Sequence, residues 1–137
     1  MTASVLLDTN AVIWLVTGRR MAKAAREAIN EAAEHGNVLI SSISGWEIGL
    51  LVSKSRLLLD RPFVDWLANL KRLAGVRIIP LSLDAAVGAS LLPGSFHAGP
   101  GDRLLVATAR ELAVPLVTRD QKILDYARSG AVKAIAC

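Results

Sequence analysis

Four of the twelve acidic residues stand out because of where they fall in the chain. Asp8 directly follows a short apolar run, and Asp120 lies just after another such run near the C-terminus. Glu47 lies inside an apolar segment, and Asp102 comes at the end of a stretch rich in glycine and proline. The other acids are explained as solvated residues of charged helix faces or as charges near helix N-termini. These four carboxylates are therefore the candidates for chemistry.

Each of the four also has a purely structural explanation. Asp8 and Asp102 could cap helices, because Asp is a favourable N-cap residue. Asp120 could serve only as a negative charge at a helix N-terminus. Glu47 could form a buried ion pair or could be exposed. Taken singly, none of the four carboxylates identifies a site.

Taken together, the four acids predict a cation site. Two unit charges 4 Å apart repel by about 4 kcal/mol at an effective dielectric constant of 20, so a carboxylate cluster must bind a proton or a cation. Carboxylate oxygens suit Mg²⁺ or Mn²⁺, and the two histidines and one cysteine form no zinc-binding pattern. Such a site is suited to phosphate chemistry, in which a metal activates water and neutralises the scissile phosphate.

The elements that must position these acids follow from hydrophobic patterning. Short apolar strands are predicted at 5–7, 38–40, 76–80, 116–118 and 132–135. Helices are predicted at 10–16, 20–35, 44–52, from Pro62 onward, 82–92, 103–112 and 121–128, with Leu104, Leu105, Thr108 and Leu112 facing inward on the sixth. This alternation predicts an α/β fold with a mostly parallel sheet of four to five strands covered on both faces. Ligands in such sheets bind beyond the carboxyl ends of the strands, where three of the acids fall.

Length and composition fit a single domain spanning residues 1–137. Hydrophobic residues make up 53% and charged residues 20%, which argues against disorder. Mean hydropathy is +0.42, so a well-filled core, a self-association surface or both are expected. The net charge of +4 is compatible with a nucleic-acid partner but does not require one. There is neither a membrane-span pattern nor a secretory signal, so the cytoplasm is the expected location.

Four short segments resemble the sequential motifs of the PIN-domain ribonucleases, and specifically of the VapC toxins of toxin–antitoxin pairs. The segments are Leu6-Leu7-Asp8-Thr9-Asn10, Ser41-Ser42-Ile43-Ser44-Gly45-Trp46-Glu47-Ile48, Asp102-Arg103-Leu104-Leu105-Val106-Ala107-Thr108-Ala109 and Val117-Thr118-Arg119-Asp120. They occur in the family's order and span nearly the whole chain.

The resemblance implies a PIN-like three-layer α/β/α fold and Mg²⁺- or Mn²⁺-dependent endoribonuclease activity. It assigns the metal-binding acids to Asp8, Glu47 and Asp102, with Asp120 as a more variable fourth. Thr118 matches a hydroxyl-bearing position that supports the site in the family. The resemblance also implies a homodimer that a VapB-type antitoxin silences by laying its C-terminal segment over the active-site groove.

Further residues near the acids have two interpretations each. Thr9 could support the site through its hydroxyl or its backbone. Arg103, Arg119 and Lys122 could hold RNA phosphates, or could be solvated or salt-bridged cations. Trp14 and Trp46 are expected in the core or an interface, with base stacking as the alternative for either.

One position departs from the family pattern. Gly99 stands where many relatives carry an additional Asp before the Asp102 motif. This lowers the local negative charge and favours a single metal ion, and it leaves open a catalytically weak or inactive PIN-like module that binds RNA or protein. Two unrelated classes fit less well. A haloacid-dehalogenase-type phosphotransferase needs a second Asp where Asn10 stands, and a receiver domain needs an acidic pair and a late lysine.

Overall fold

The computed structural model describes residues 3–137, and its centre is a sheet of five parallel strands. The strands are β1 (Val5–Leu7), β2 (Val38–Ser41), β3 (Val76–Ile79), β4 (Leu116–Thr118) and β5 (Ala134–Ala136). Their order across the sheet is β3-β2-β1-β4-β5, and every neighbouring pair is parallel. The predicted α/β class with a mostly parallel sheet is therefore confirmed.

Seven helices connect or follow the strands in the described part of the chain. They are α1 (Thr9–Thr17), α2 (Lys23–Ala33), α3 (Ser42–Ser53), α4 (Phe63–Lys71), α5 (Leu83–Ser90), α6 (Pro100–Leu112) and α7 (Gln121–Ala127). None of the helices within residues 3–137 combines the length and apolar character that crossing a membrane requires.

The two faces of the sheet carry separate apolar layers because successive strand residues point to opposite sides. Leu7 of β1 packs with α1, α2, α3 and α4, in a layer that includes the fully buried Trp66. Leu6 packs with α6 and α7 in the second layer. The three inner strands, β2, β1 and β4, are buried along their whole length, as expected for a parallel sheet covered on both faces.

The structure corrects several predicted boundaries, of which the start of α6 matters most for the site. The helix begins at Pro100 rather than at Arg103, because a proline at the first helical position needs no amide hydrogen bond and has a helix-compatible φ. Asp102 therefore lies within the first turn of α6, while Gly99 is the N-cap residue. Strand β5 starts two residues later than expected, and α2 starts at Lys23 rather than at residue 20.

The predicted inward face of α6 was partly wrong. Leu105 and Thr108 are buried, but Leu112 is 41% exposed. The buried face centres instead on Leu105, Val106 and Ala109, which pack against the sheet layer. Leu112 is the last residue of the helix, and the chain turns away after it through a left-handed residue at position 113.

Candidate metal centre

The sheet order brings the candidate acids to one edge. Strands β2, β1 and β4 are neighbours and point the same way, so their carboxyl ends lie side by side. Asp8 follows β1 as the N-cap of α1, and Asp120 follows β4 as the N-cap of α7. Glu47 lies in the second turn of α3, which follows β2 directly. Asp102 reaches the same edge from the first turn of α6.

Asp8 is the most deeply buried of the four acids, with 3% of its surface exposed. Its Oδ2 accepts a hydrogen bond from the Thr118 hydroxyl at 2.6 Å, and its Oδ1 accepts one from the Thr9 backbone amide at 2.8 Å. Burial raises the pKa of the Asp8 carboxyl, the two hydrogen bonds oppose that rise, and the charge of Asp120 adds to it. The carboxylate is thus fixed in orientation, and no Lys or Arg of residues 3–137 forms an ion pair with it.

Glu47 is held by a short chain of hydroxyl groups. The Thr9 hydroxyl donates to Oε1 of Glu47 at 2.5 Å. Thr9 Oγ1 also lies 3.0 Å from the Ser44 hydroxyl, and since Thr9 has one hydroxyl hydrogen, Ser44 is the donor of that bond. Burial raises the pKa of Glu47, the Thr9 bond lowers it, and the charge of Asp8 raises it further.

Asp102 shows most directly that the four acids converge. Burial, followed by the charges of Asp8, Asp120 and Glu47, raises the pKa of Asp102 to about 6, while Lys122 opposes the rise. A carboxylate responds to like charges in this way only when they lie close to it. All four acids that the sequence singled out thus lie at one edge of the sheet, and the charges of three of them act on Asp102.

Asp120 differs from the other three acids. Asp8, Glu47 and Asp102 line one groove of about 340 Å³, whereas Asp120 is not part of its lining. Oδ1 of Asp120 accepts from the Lys122 amide at 2.8 Å, and the Asp120 amide donates to the Thr118 hydroxyl at 3.0 Å. Asp120 therefore caps α7, and its charge acts on Asp8 and Asp102.

Two residues of the site, Ser44 and Gly101, were not identified from the sequence. Ser44 is fully buried and supports Thr9, and its place one helical turn before Glu47 is the signal that could have revealed it. Gly101 lies so close to Glu47 that a Cβ atom there would overlap the carboxylate. A glycine in the first turn of a helix has no conformational reason to be there, which is the corresponding signal for Gly101.

The three candidate phosphate-binding cations have different surroundings. Arg103 donates to the backbone carbonyls of Ala89 at 2.9 Å and Phe96 at 2.7 Å, so its guanidinium ties α5 and the following loop to α6. The Arg119 guanidinium lies 4.8 Å from the centre of the Trp14 ring. Lys122 is exposed and is the cation whose charge acts on Asp102.

The carboxylates of the site are the oxygen donors available to a divalent cation. Among the described residues, no three acids, histidines or cysteines lie close enough together to hold a metal ion as a group. Mg²⁺ does not need three protein ligands, because it keeps several water ligands and takes one or two carboxylates. Oriented, partly buried carboxylates that face a groove and lack a neutralising partner fit that requirement.

Comparison with known proteins gives the family. The PIN domain family model matches residues 5–129. Ribonuclease VapC22 of Mycobacterium tuberculosis (strain ATCC 25618 / H37Rv) is 36% identical over 124 residues, which cover 90% of this chain and 92% of that protein.

Solved structures share the fold. VapBC2 from Rickettsia felis, bound to a DNA fragment from its promoter, superposes with a TM-score of 0.69 at 18% identity, covering 96% of this chain and 97% of that one. A toxin–antitoxin complex from Klebsiella pneumoniae superposes with a TM-score of 0.62 at 27% identity, covering 96% of both chains. The chain therefore belongs to the PIN-domain family, and within it to the VapC-type ribonucleases.

Proposed function

We propose that this protein is a Mg²⁺- or Mn²⁺-dependent endoribonuclease that acts as the toxin of a toxin–antitoxin pair. The observation that carries the proposal is the group of three groove-lining carboxylates, Asp8, Glu47 and Asp102, whose pKa values are all raised, first by burial and then by a neighbouring acid. Keeping these charges close together lowers the free energy of unfolding, and a bound divalent cation would offset that loss.

Asp8, Glu47 and Asp102 would hold the cation, directly or through its water ligands, with Asp120 adding negative charge from the side. When bound, the cation would neutralise the scissile phosphate and lower the pKa of a water molecule. The protein's own contribution is orientation. The Thr118 hydroxyl fixes one oxygen of Asp8, and the Thr9 hydroxyl fixes one oxygen of Glu47. Both carboxylates are therefore oriented before the substrate binds. The N-terminus of α6 opens onto the same groove and favours an anionic substrate.

A cleavage assay with a charge-removing variant tests the proposal. We expect purified protein, free of any partner, to cleave structured RNA with Mg²⁺ or Mn²⁺ and to stop on addition of EDTA. Asp8→Asn should lower cleavage at least about 100-fold. Asp125→Asn, which changes an exposed acid of α7, is the matched control and should cleave like the parent.

Two outcomes would contradict the proposal. Equal cleavage by Asp8→Asn and the parent would mean that the activity belongs to a contaminant. RNA binding without cleavage in any divalent cation would favour the alternative of a non-catalytic PIN-like module, the reading that Gly99 keeps open. Circular dichroism of each variant confirms that the fold is intact.

We further propose a VapB-type antitoxin as partner and a homodimer as the working form, in the cytoplasm where RNA is found. The toxin–antitoxin complex from Klebsiella pneumoniae supports the first proposal. Leu83, Val87 and Leu91 support the second, because they form an exposed apolar stripe along α5 at helical spacing. Light scattering should show a dimer that Val87→Ser weakens.

A further inference from the structure

The groove that contains the acids continues away from them along α3. Trp46 lines the groove beside Glu47, Leu50 and Leu51 line it further along α3, and two cations, Lys54 and Arg56, line its far end. We propose that this groove binds the nucleotide next to the cleavage point, with Trp46 stacking on its base and Lys54 and Arg56 binding its other phosphate. The proposal rests on the proposed ribonuclease function and adds a substrate subsite to it.

Trp46 is placed for contact with a ligand rather than for packing. Ser44 and Ile48 form the buried side of α3, and Trp46 lies two residues from each, which puts it on the opposite side of the helix. Half of its surface is exposed, whereas Trp66 is fully buried. A large flat ring beside carboxylates that act on phosphodiesters is suited to stacking on an unpaired base.

Lys54 and Arg56 are placed by the end of α3. The Ser55 amide donates to the Val52 carbonyl at 3.1 Å, and the Arg56 amide donates to the Leu51 carbonyl at 2.8 Å. Ser55 takes the left-handed conformation, with φ of 55°, and so turns the chain back beside the groove. The helix ends where its last residues can present both cations to one ligand.

Both cations are available for a phosphate. The ion pairs among the described residues are Lys23–Glu27 and Asp60–Arg61, so no described carboxylate lies within 4 Å of Lys54 or Arg56. Lys54 is seven residues after Glu47, on the same face of α3 and about 10 Å further along its axis. That distance is too great for the phosphate being cleaved, which must lie at the carboxylates, and suits a neighbouring one.

The charge pattern favours single-stranded RNA over a protein segment as the occupant. Along α3 the groove passes from Glu47, with Trp46 beside it, through the apolar Leu50 and Leu51 to the cations Lys54 and Arg56. An RNA strand carries an unpaired base between two phosphates, so a phosphate at the carboxylates, its neighbouring base on Trp46 and the next phosphate on Lys54 and Arg56 would match this arrangement. The backbone of a protein segment carries no such repeated negative charge.

Binding is measured in the cleavage-deficient Asp8→Asn background with single-stranded RNA oligonucleotides and fluorescence anisotropy. Trp46→Leu should weaken binding about 10-fold, while Trp46→Phe, which keeps an aromatic face, should retain most of it. Lys54→Gln combined with Arg56→Gln should weaken binding and reduce the slope of log K against log salt by about 0.7, since both cations bind the same phosphate and each single-strand phosphate contact contributes roughly 0.7. Lys71→Gln, which removes an exposed cation in the last turn of α4, is the matched control. It should leave the RNA affinity and the salt slope unchanged.

The same changes in the active parent separate this proposal from the ribonuclease itself. If the parent cleaves RNA with Mg²⁺ but the Trp46 and Lys54/Arg56 variants keep its kcat/KM, the subsite is refuted and the nuclease stands. If the parent never cleaves, the nuclease is refuted, and the anisotropy measurements still decide whether the groove binds RNA. Unchanged RNA affinity combined with lost affinity for an antitoxin C-terminal peptide would overturn the subsite and assign the groove to the partner protein.

Discussion

Replacing Asp102 by Asn should make the metal-free protein more stable at neutral pH while it removes a metal ligand. The pKa of Asp102 is raised from 3.8 to about 6 in the folded chain, so the native state holds the proton more tightly than the unfolded state does. Stability is therefore highest below pH 4 with respect to this group and falls as the pH rises through about 6. Above that pH the folded protein carries the full cost of the charge, which Asn removes.

The magnitude follows from two opposing effects. The difference between the two pKa values corresponds to about 3 kcal/mol, which solvent screening of this partly exposed group reduces to about 1.5 kcal/mol. Asp102 also lies in the first turn of α6, where a negative charge is stabilising by about 0.3–1 kcal/mol. The repulsion outweighs the helix effect, so Asp102→Asn should gain about 1 kcal/mol, or roughly 3–5 °C in Tm.

Urea unfolding in EDTA at pH 7.5 and at pH 4 measures this change in the free energy of unfolding. Asp84→Asn is the matched control, because Asp84 also lies in a first helical turn but is exposed and remote from the acids. We expect Asp102→Asn to be stabilised at pH 7.5 and close to the parent at pH 4, and Asp84→Asn to be slightly destabilised. Mg²⁺ should raise the Tm of the parent more than that of Asp102→Asn. If both variants lose stability equally at pH 7.5, the reasoning about a charge cluster is refuted.

Two other substitutions probe the supports of the site. Thr118→Val removes the hydroxyl bonded to Asp8, so it should lower the free energy of unfolding by about 1–3 kcal/mol, as measured by denaturation. It should also weaken Mg²⁺ binding about 10- to 100-fold, as measured by calorimetry. Unchanged Mg²⁺ affinity would contradict this prediction. Gly101→Ala forces the Glu47 carboxylate to move and should lower cleavage about 10-fold or more. Gly45→Ala, a helical glycine with open space around its Cβ position, should cleave like the parent, and equal loss in both variants would refute the role of Gly101.

The strand framework could be predicted from the sequence because each strand is a short apolar run bounded by polar or turn residues. Val5–Leu7 and Leu116–Thr118 were predicted with their observed bounds, and both are fully buried. Once the strands are parallel and adjacent, the residues after them must meet at one edge. That is why Asp8 and Asp120 could be placed in a site without any knowledge of side-chain contacts.

What could not be predicted depends on contacts between elements that are distant in sequence. The roles of Ser44 and Gly101 exist only because α3 meets both α1 and α6 near the acids. Arg103 was a candidate for RNA contact by its position beside Asp102, but its guanidinium is used to join α5 to α6. Trp46 was expected mainly in the core or an interface, and only the orientation of α3 shows that it faces the groove.

Asp8 and Asp120 each combine two roles, and this determines which substitutions can separate those roles. Both are helix N-caps whose carboxylate oxygens accept backbone amide hydrogens, and both contribute charge to the acidic group. Asn caps a helix about as well as Asp, so Asp→Asn changes remove charge and keep the cap, whereas Asp→Ala changes remove both. Loss of cleavage in Asp8→Asn with an intact fold would therefore report on the charge alone. The acids differ in the same terms. Asp8, Glu47 and Asp102 face the groove and would hold a cation directly or through its water ligands, whereas Asp120 would act on it through charge alone. The Asn variant of Asp120 should therefore retain the most activity.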